Sequence, residues 1–301
     1  MNNNVPVKCL NNGVVMPMIG LGTDKLGKDR RDLGSIIEMA YSIGYRHIDT
    51  AQGYHNEEAI GEALYDYEIP RDSLFITTKL EDSAHGYYRT LDAVERSLQK
   101  LQIDTIDLFL IHAPNSTTIR DIIKTDKSCS GKTWADLNAE SWQAMEKAVA
   151  DRKIRSIGVS NFRENHLGEL LKTAHILPAV NQIRLCIGCI KAQENLIEYC
   201  VQRGIFVEAY SPLGKGNGTT LDEPAAIAAE KGFSSAQILL SYFLNQGIGV
   251  VVKSSSETHL KENLESFKIS LTDRECNMIR NRVVDERWAK YLDPDTGMKI
   301  N

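Results

Sequence analysis

Leu74-Phe-Ile-Thr-Thr-Lys79 and Ile106-Asp-Leu-Phe-Leu-Ile111 are two short runs rich in β-branched and aromatic residues. Between them Leu91, Val94, Leu98 and Leu101 recur at i, i+3, i+7 and i+10. The runs have the length and composition of buried strands, and the spacing between them puts four apolar side chains on one face of a helix. A strand, a helix and a second strand in that order form a parallel βαβ unit, because a connection of this length returns the chain to the starting edge of the sheet.

The unit repeats outward in both directions. Candidate strands fall at 19–22, 46–49, 74–79, 106–111, 156–159, 179–182, 205–209 and 248–252. Ile60, Leu64 and Tyr67 give a further helical face, and Leu167, Leu170, Leu171 and Ala174 another. Eight alternating units predict a closed (β/α)8 TIM barrel. The other fold open to this pattern, a doubly wound sheet, would want a G-x-G-x-x-G turn after the first strand, and the sequence has none there. Ahead of the first unit, 7–10 and 14–18 flank Asn11-Asn12-Gly13, which reads as a β-hairpin covering the barrel bottom. The longest connections, 113–140 after strand four and 211–226 after strand seven, read as βα loops on the face where barrels keep their active sites. No linker interrupts the chain, so 1–301 is expected to form a single domain.

Composition narrows the function. The 301 residues are 42% hydrophobic and 25% charged, ordinary for a soluble domain, and the net charge of −5 disfavours nucleic acid and anionic membranes as partners. No apolar run is long enough to span a bilayer, and Met1-Asn-Asn-Asn-Val-Pro6 lacks the basic start and apolar stretch of a secretory leader. A cytoplasmic monomer is the expectation. The six cysteines are scattered; Cys186 and Cys189 make one C-x-x-C, but no second ligand pair follows, so no metal is expected.

Four titratable side chains collect at strand ends. Asp49 ends the second strand, Lys79 the third, His112 follows the fourth, and Tyr54 lies five residues past Asp49. Neighbouring strand ends are within side-chain reach, so the four can share a pocket. An ammonium near a phenol favours the phenolate, and Asp49 would hold Lys79 charged while cancelling part of its field. A net fall of about one to three units in the Tyr54 pKa is expected, suiting a general acid, with His112 polarising a carbonyl.

The stretch Gly44-Tyr-Arg-His-Ile-Asp-Thr-Ala-Gln-Gly-Tyr-His-Asn-Glu-Glu-Ala-Ile-Gly61 resembles the aldo-keto reductase signature. The likeness runs on through Ile76-Thr-Thr-Lys79, 106–112, Ile157-Gly-Val-Ser-Asn-Phe162, Val180-Asn-Gln182, Ala209-Tyr-Ser-Pro-Leu-Gly214 and Val252-Lys-Ser254. It is nearest in kind to the bacterial aldehyde and 2,5-diketo-gluconate reductase-like members. The resemblance implies NAD(P)H-dependent reduction of a small carbonyl substrate by a tetrad of Asp49, Tyr54, Lys79 and His112. It further implies that Ser160, Asn161 and Gln182 hold the nicotinamide carboxamide and that Tyr210 stacks on the ring. Ser211 and Leu213 would cross the pyrophosphate, Lys253 and Ser254 meet the phosphates, Glu262 and Asn263 the adenine, and Thr23 and Asp49 the ribose side.

Two departures stand out. His259 occupies the place where NADPH-using relatives usually carry an arginine that pairs with the 2′-phosphate, so NADP(H) is expected with NAD(H) also accepted. Asp24, Glu81 and Ala113 stand where relatives often line the substrate pocket with aromatics; two carboxylates there either suggest a polar or cationic substrate or point to solvent, with Trp134 and His112 as further walls. Two other readings remain: a Schiff-base aldolase on Lys79, which needs that amine neutral, and a non-catalytic cofactor-sensing or scaffolding barrel.

Overall fold

The computed structural model describes residues 5–282. Residues 1–4, part of the stretch read for a leader, and 283–301, the end of the single-domain range, lie outside the described residues. The chain opens with β1 (Val7–Cys9) and β2 (Val15–Pro17), an antiparallel pair turning through Gly13 at φ 86°. Eight parallel strands follow: β3 (Ile19–Gly22), β4 (His47–Asp49), β5 (Phe75–Leu80), β6 (Ile106–Ile111), β7 (Ile154–Ser160), β8 (Val180–Arg184), β9 (Phe206–Tyr210) and β10 (Gly249–Val252). β10 pairs with both β3 and β9, closing the barrel. All eight expected strands are present.

The hairpin sits where expected. Asn11 Nδ2 donates to Pro178 O and Asn12 Nδ2 to Arg155 O, both at the N-terminal ends of barrel strands. Leu10, Met16 and Met18 pack with Phe75, Leu108, Leu110 and Phe206, filling the lower barrel interior with apolar side chains. The main core lies between the sheet and its surrounding helices, where the predicted faces of Ile60, Leu64, Val94, Leu98, Leu101, Leu167 and Leu170 are buried.

Two expectations change. The segment 113–140 is largely helical, with helices at Thr117–Thr125 and Trp134–Ala150. A capping box between Thr133 and Asp136 starts the second helix, so Trp134 is its first residue rather than part of a loop. The helix after β7 spans only Glu164–Leu170, leaving Leu171 and Ala174 half-buried beyond its end.

Above the apolar floor the barrel interior turns polar. His47, Thr77, Gln182 and Glu208 are all buried there. His47 has room only because residue 20 is glycine: a Cβ there would lie 2.8 Å from His47 Nδ1. Successive strand residues alternate faces, so His47 and Asp49, Thr77 and Lys79, and Glu208 and Tyr210 share a side, one level apart.

Candidate active site

The register that sets Asp49 beside Thr77 carries Lys79 one level higher, and the two side chains meet. Lys79 Nζ donates to Asp49 Oδ1 at 2.7 Å, to the Thr50 carbonyl at 2.8 Å and to the Tyr54 hydroxyl at 3.4 Å. A tight 3-10 turn, Gln52–Tyr54, aims the phenol back over β5, and left-handed His55 closes it. Gln52 anchors the turn by donating to Ala93 O and Ser97 Oγ. His112 presents its ring edge to Tyr54, centroids 5.7 Å apart and planes at 78°. The four tetrad candidates therefore converge.

Charge follows burial and proximity. Burial opposes the Lys79 ammonium, but Asp49 and Tyr54 outweigh it and hold its pKa above the ordinary lysine value. Burial, with the Lys79 charge and His85 adding to it, pushes His112 down to about 3, so its imidazole is neutral at physiological pH. Tyr54 departs from expectation: burial raises its pKa above that of a free phenol despite the pull of Lys79. The phenol thus stays protonated, a reservoir that releases its proton only as negative charge develops on a neighbouring oxygen.

Beside the tetrad lies a second cluster. Gln182 Nε2 donates to Asp49 Oδ2 at 2.7 Å, Ser160 Oγ donates to Gln182 O at 2.9 Å, and Asn161 Nδ2 donates to His112 O at 3.0 Å. Tyr210 OH donates to Asn161 Oδ1 at 2.9 Å, and the Arg184 guanidinium stands 5.0 Å from the Tyr210 ring centre. Asn161 and Ser211 both adopt left-handed backbone, φ 62° and 54°. Thr23 is bound to the Asp49 carbonyl through both its amide and its hydroxyl.

A third group suits phosphates. Lys253 and Ser254 follow β10 directly, and Ser256 caps the helix Glu257–Glu265, which carries the exposed His259 in its first turn. Lys253 Nζ reaches across to Asp24 O at 2.7 Å. An ammonium, hydroxyls and a helix N-terminus are an anion's partners. Ser160, Asn161 and Gln182 offer the polar atoms that a carboxamide requires, so the donor set fits a nicotinamide dinucleotide. Leu213 is half-buried against the core, and Asn263 is buried with Glu262 partly covered beside it, further along that helix.

The proposed substrate residues are less assembled. Asp24 is exposed and near enough for its charge to act on Tyr54. Glu81 lies 3.7 Å from Arg96 on the neighbouring helix, so its carboxylate is drawn outward. Ala113 is fully buried, and Trp134 packs edge-on against His166, ring centres 5.0 Å apart. The sequence reading passed over Asn56, which accepts from Thr50 Oγ1 and donates to Thr23 O, and over Glu208. Their positions, two residues past the turn that ends at Tyr54 and two before Tyr210 on one strand face, were the available signal. Cys186 and Cys189 are buried free thiols, Sγ atoms 3.6 Å apart.

A parallel barrel whose strand ends gather a phenol, an ammonium, a carboxylate and a neutral imidazole beside a dinucleotide-shaped donor set defines a nicotinamide-dependent oxidoreductase. Comparison makes the class specific. Residues 18–283 match the Aldo/keto reductase family. A glyoxal reductase of Bacillus subtilis is 37% identical over 284 residues, spanning 94% of this chain and 95% of that protein. An aldo/keto reductase from Brucella melitensis superposes with a TM-score of 0.82 at 35% identity, covering 93% of this chain and 98% of the other. A Bombyx mori aldo-keto reductase, solved in complex with NADP, gives 0.80 at 32%, covering 95% and 97%. The chain belongs to the aldo/keto reductase family.

Proposed function

We propose that this protein reduces small polar aldehydes and ketones with NADPH, also accepting NADH, and that Tyr54 is the proton donor. The carrying observation is that Lys79 Nζ touches both Asp49 Oδ1 and the Tyr54 hydroxyl. When bound, the reduced nicotinamide supplies the hydride. The chain's residues do the rest. Neutral His112 offers a ring N–H to the carbonyl oxygen and orients it. Tyr54 gives its proton to that oxygen as charge builds, and Lys79 stabilises the phenolate left behind. Asp49 holds the ammonium in place and charged. Ser160, Asn161 and Gln182 fix the carboxamide, Tyr210 backs the ring, and Thr23 and Asp49 take its ribose side. Ser211 and Leu213 cover the pyrophosphate, Lys253, Ser254 and His259 hold the phosphates, and Glu262 and Asn263 flank adenine.

The raised pKa of Lys79 also weighs against the aldolase reading, which requires a neutral amine. Among the mouth residues Asp24 remains exposed, whereas Glu81 is engaged by Arg96. A cation-bearing carbonyl is therefore favoured by Asp24 alone. All six cysteines being free thiols, including exposed Cys9, supports a reducing compartment such as the cytoplasm.

The test is NADPH oxidation with 4-nitrobenzaldehyde, followed by matched amine-bearing and carboxylated aldehydes. Turnover is expected, with the amine-bearing compound ahead several-fold in kcat/KM and the gap closing in Asp24→Asn. Absence of turnover with every carbonyl overturns the reductase assignment, and a preference for the carboxylated aldehyde overturns the role of Asp24.

A further inference from the structure

Glu208 sits inside the barrel, fully buried, one level below the tetrad, and nothing in the proposed chemistry uses it. Its Oε2 accepts from Gln182 Nε2 at 2.7 Å, and the same nitrogen donates at 2.7 Å to Asp49 Oδ2. The Gln182 amide thus spends both N–H bonds on two carboxyl groups. Its carbonyl oxygen is left to point elsewhere. Glu208 Oε1 has no hydrogen-bond partner among the described residues and lies 3.7 Å from His47 Nδ1. His47 is itself held by Thr77 Oγ1 at 2.9 Å and Pro17 O at 3.3 Å.

We propose that Glu208 is a positioning residue that works as a neutral carboxylic acid, locking the Gln182 amide so that its N–H bonds face Asp49 and its oxygen faces the cofactor carboxamide. The proposal rests on the tetrad and cofactor reading above.

The electrostatics require the neutral form. Among the described residues, the charged or titratable groups acting on Glu208 come from two neighbouring strands. β4 brings His47 and Asp49, β5 brings Lys79, and β8 brings uncharged Gln182. β10 brings Gly249. Among the described residues the cation whose charge acts on Glu208, Lys79, is committed to Asp49, the Thr50 carbonyl and Tyr54. Burial drives His47 down to about 4, so it supplies no positive charge at neutral pH. An ionised Glu208 would be a second buried carboxylate sharing one ammonium. Burial and the Asp49 charge accordingly push Glu208 up to about 8. Oε2 accepts from Gln182, so the proton resides on Oε1, which has no hydrogen-bond partner among the described residues.

Ionisation has a cost for the reaction. Above about pH 8 a second negative charge joins Asp49, offsets the field of Lys79 at Tyr54, and disfavours the phenolate formed during reduction. Activity in the reducing direction should fall as Glu208 loses its proton. Glu208→Gln keeps the shape, the neutral state and an acceptor oxygen, but cannot ionise.

Infrared difference spectroscopy between pH 6.5 and 9.5 on the whole protein, with ¹³C-labelled glutamate for assignment, reads the acid directly. The wild type should lose a protonated-carboxyl C=O band as pH rises, and E208Q should lack that band. E208Q should keep at least about half of wild-type kcat at pH 7. Its alkaline fall should be smaller than the wild type's by about threefold or more. Glu208→Ala, which frees the Gln182 amide to turn over, should weaken cofactor binding by about tenfold in a fluorescence titration. No protonated band in the wild type overturns the proposal, whether or not the variants fold. So does a band that persists in E208Q, which would belong to another buried carboxyl such as Glu57. Superimposable pH profiles, or unchanged cofactor binding in E208A, overturn it as well. An inactive protein in which the band behaves as stated would instead sink the tetrad reading alone.

Discussion

Lys79→Met tests whether the ammonium both activates Tyr54 and neutralises Asp49. At 3.4 Å from the hydroxyl, with an effective dielectric of about 20, a full positive charge is worth about 5 kcal/mol to the phenolate. Asp49 on the far side of the ammonium cancels part of this. A net loss of about 1.5–4 kcal/mol remains, or about 10- to 10³-fold in kcat. The same substitution strands the Asp49 carboxylate, only 4% exposed, with Gln182 as its remaining side-chain partner. Breaking a buried pair by removing one member costs about 3–5 kcal/mol, which lowers the Tm by about 5–10 °C. The two effects separate in the Asp49→Asn, Lys79→Met double variant. That protein should recover much of the lost Tm, because no uncompensated charge is left, while its rate stays low. Single-turnover reduction and thermal melts of the two variants and the wild type decide the matter. Should Lys79→Met keep a third of wild-type kcat, the ammonium does not activate the phenol. Should the double variant melt no higher than the single one, the pair is not what balances Asp49.

Tyr54→Phe should bind NADPH with near-normal affinity yet lose about 10²- to 10⁴-fold in kcat, the span of general acid catalysis; an unchanged rate would remove Tyr54 from the mechanism. His259→Arg should tighten NADPH by up to about tenfold or somewhat more and leave NADH unchanged, since only the 2′-phosphate can use the guanidinium fork; equal effects on both cofactors would place residue 259 away from that phosphate. His47, His85 and His112 are held down to about 4, 3 and 3 by burial. Because each folded-state value lies below the unfolded one, near 6.5, these groups add stability that is complete above pH 6.5 and is lost as pH falls toward 3. Melting temperature should therefore drop steadily below pH 6, and a flat profile from pH 7 to 4 would show these histidines titrating freely.

The strands, their order and the four tetrad positions were legible from residue patterns, because strand period and helical spacing are local, Asp49, Lys79 and His112 lie at or beside recognisable strand ends, and Tyr54 follows Asp49 by five residues. Glu81 and Trp134 were not legible in the same way. Arg96 draws the first outward and His166 takes up the second, and neither partner could be chosen from spacing. The acidity of Tyr54 escaped for a related reason: the Lys79 charge was visible in the sequence, but the burial that outweighs it was not.

By itself, the sequence determined a (β/α)8 barrel and the set of groups that would meet at its open end. Tertiary structure alone decided which of those groups share a proton, an ammonium or an amide. Asp49 and Gln182 are 133 positions apart yet 2.7 Å apart in space, and Gln182 in turn reaches Glu208. Only closure of the barrel brings such residues together, and only the exclusion of water that comes with closure makes a histidine neutral, a glutamate hold its proton and a lysine keep its charge.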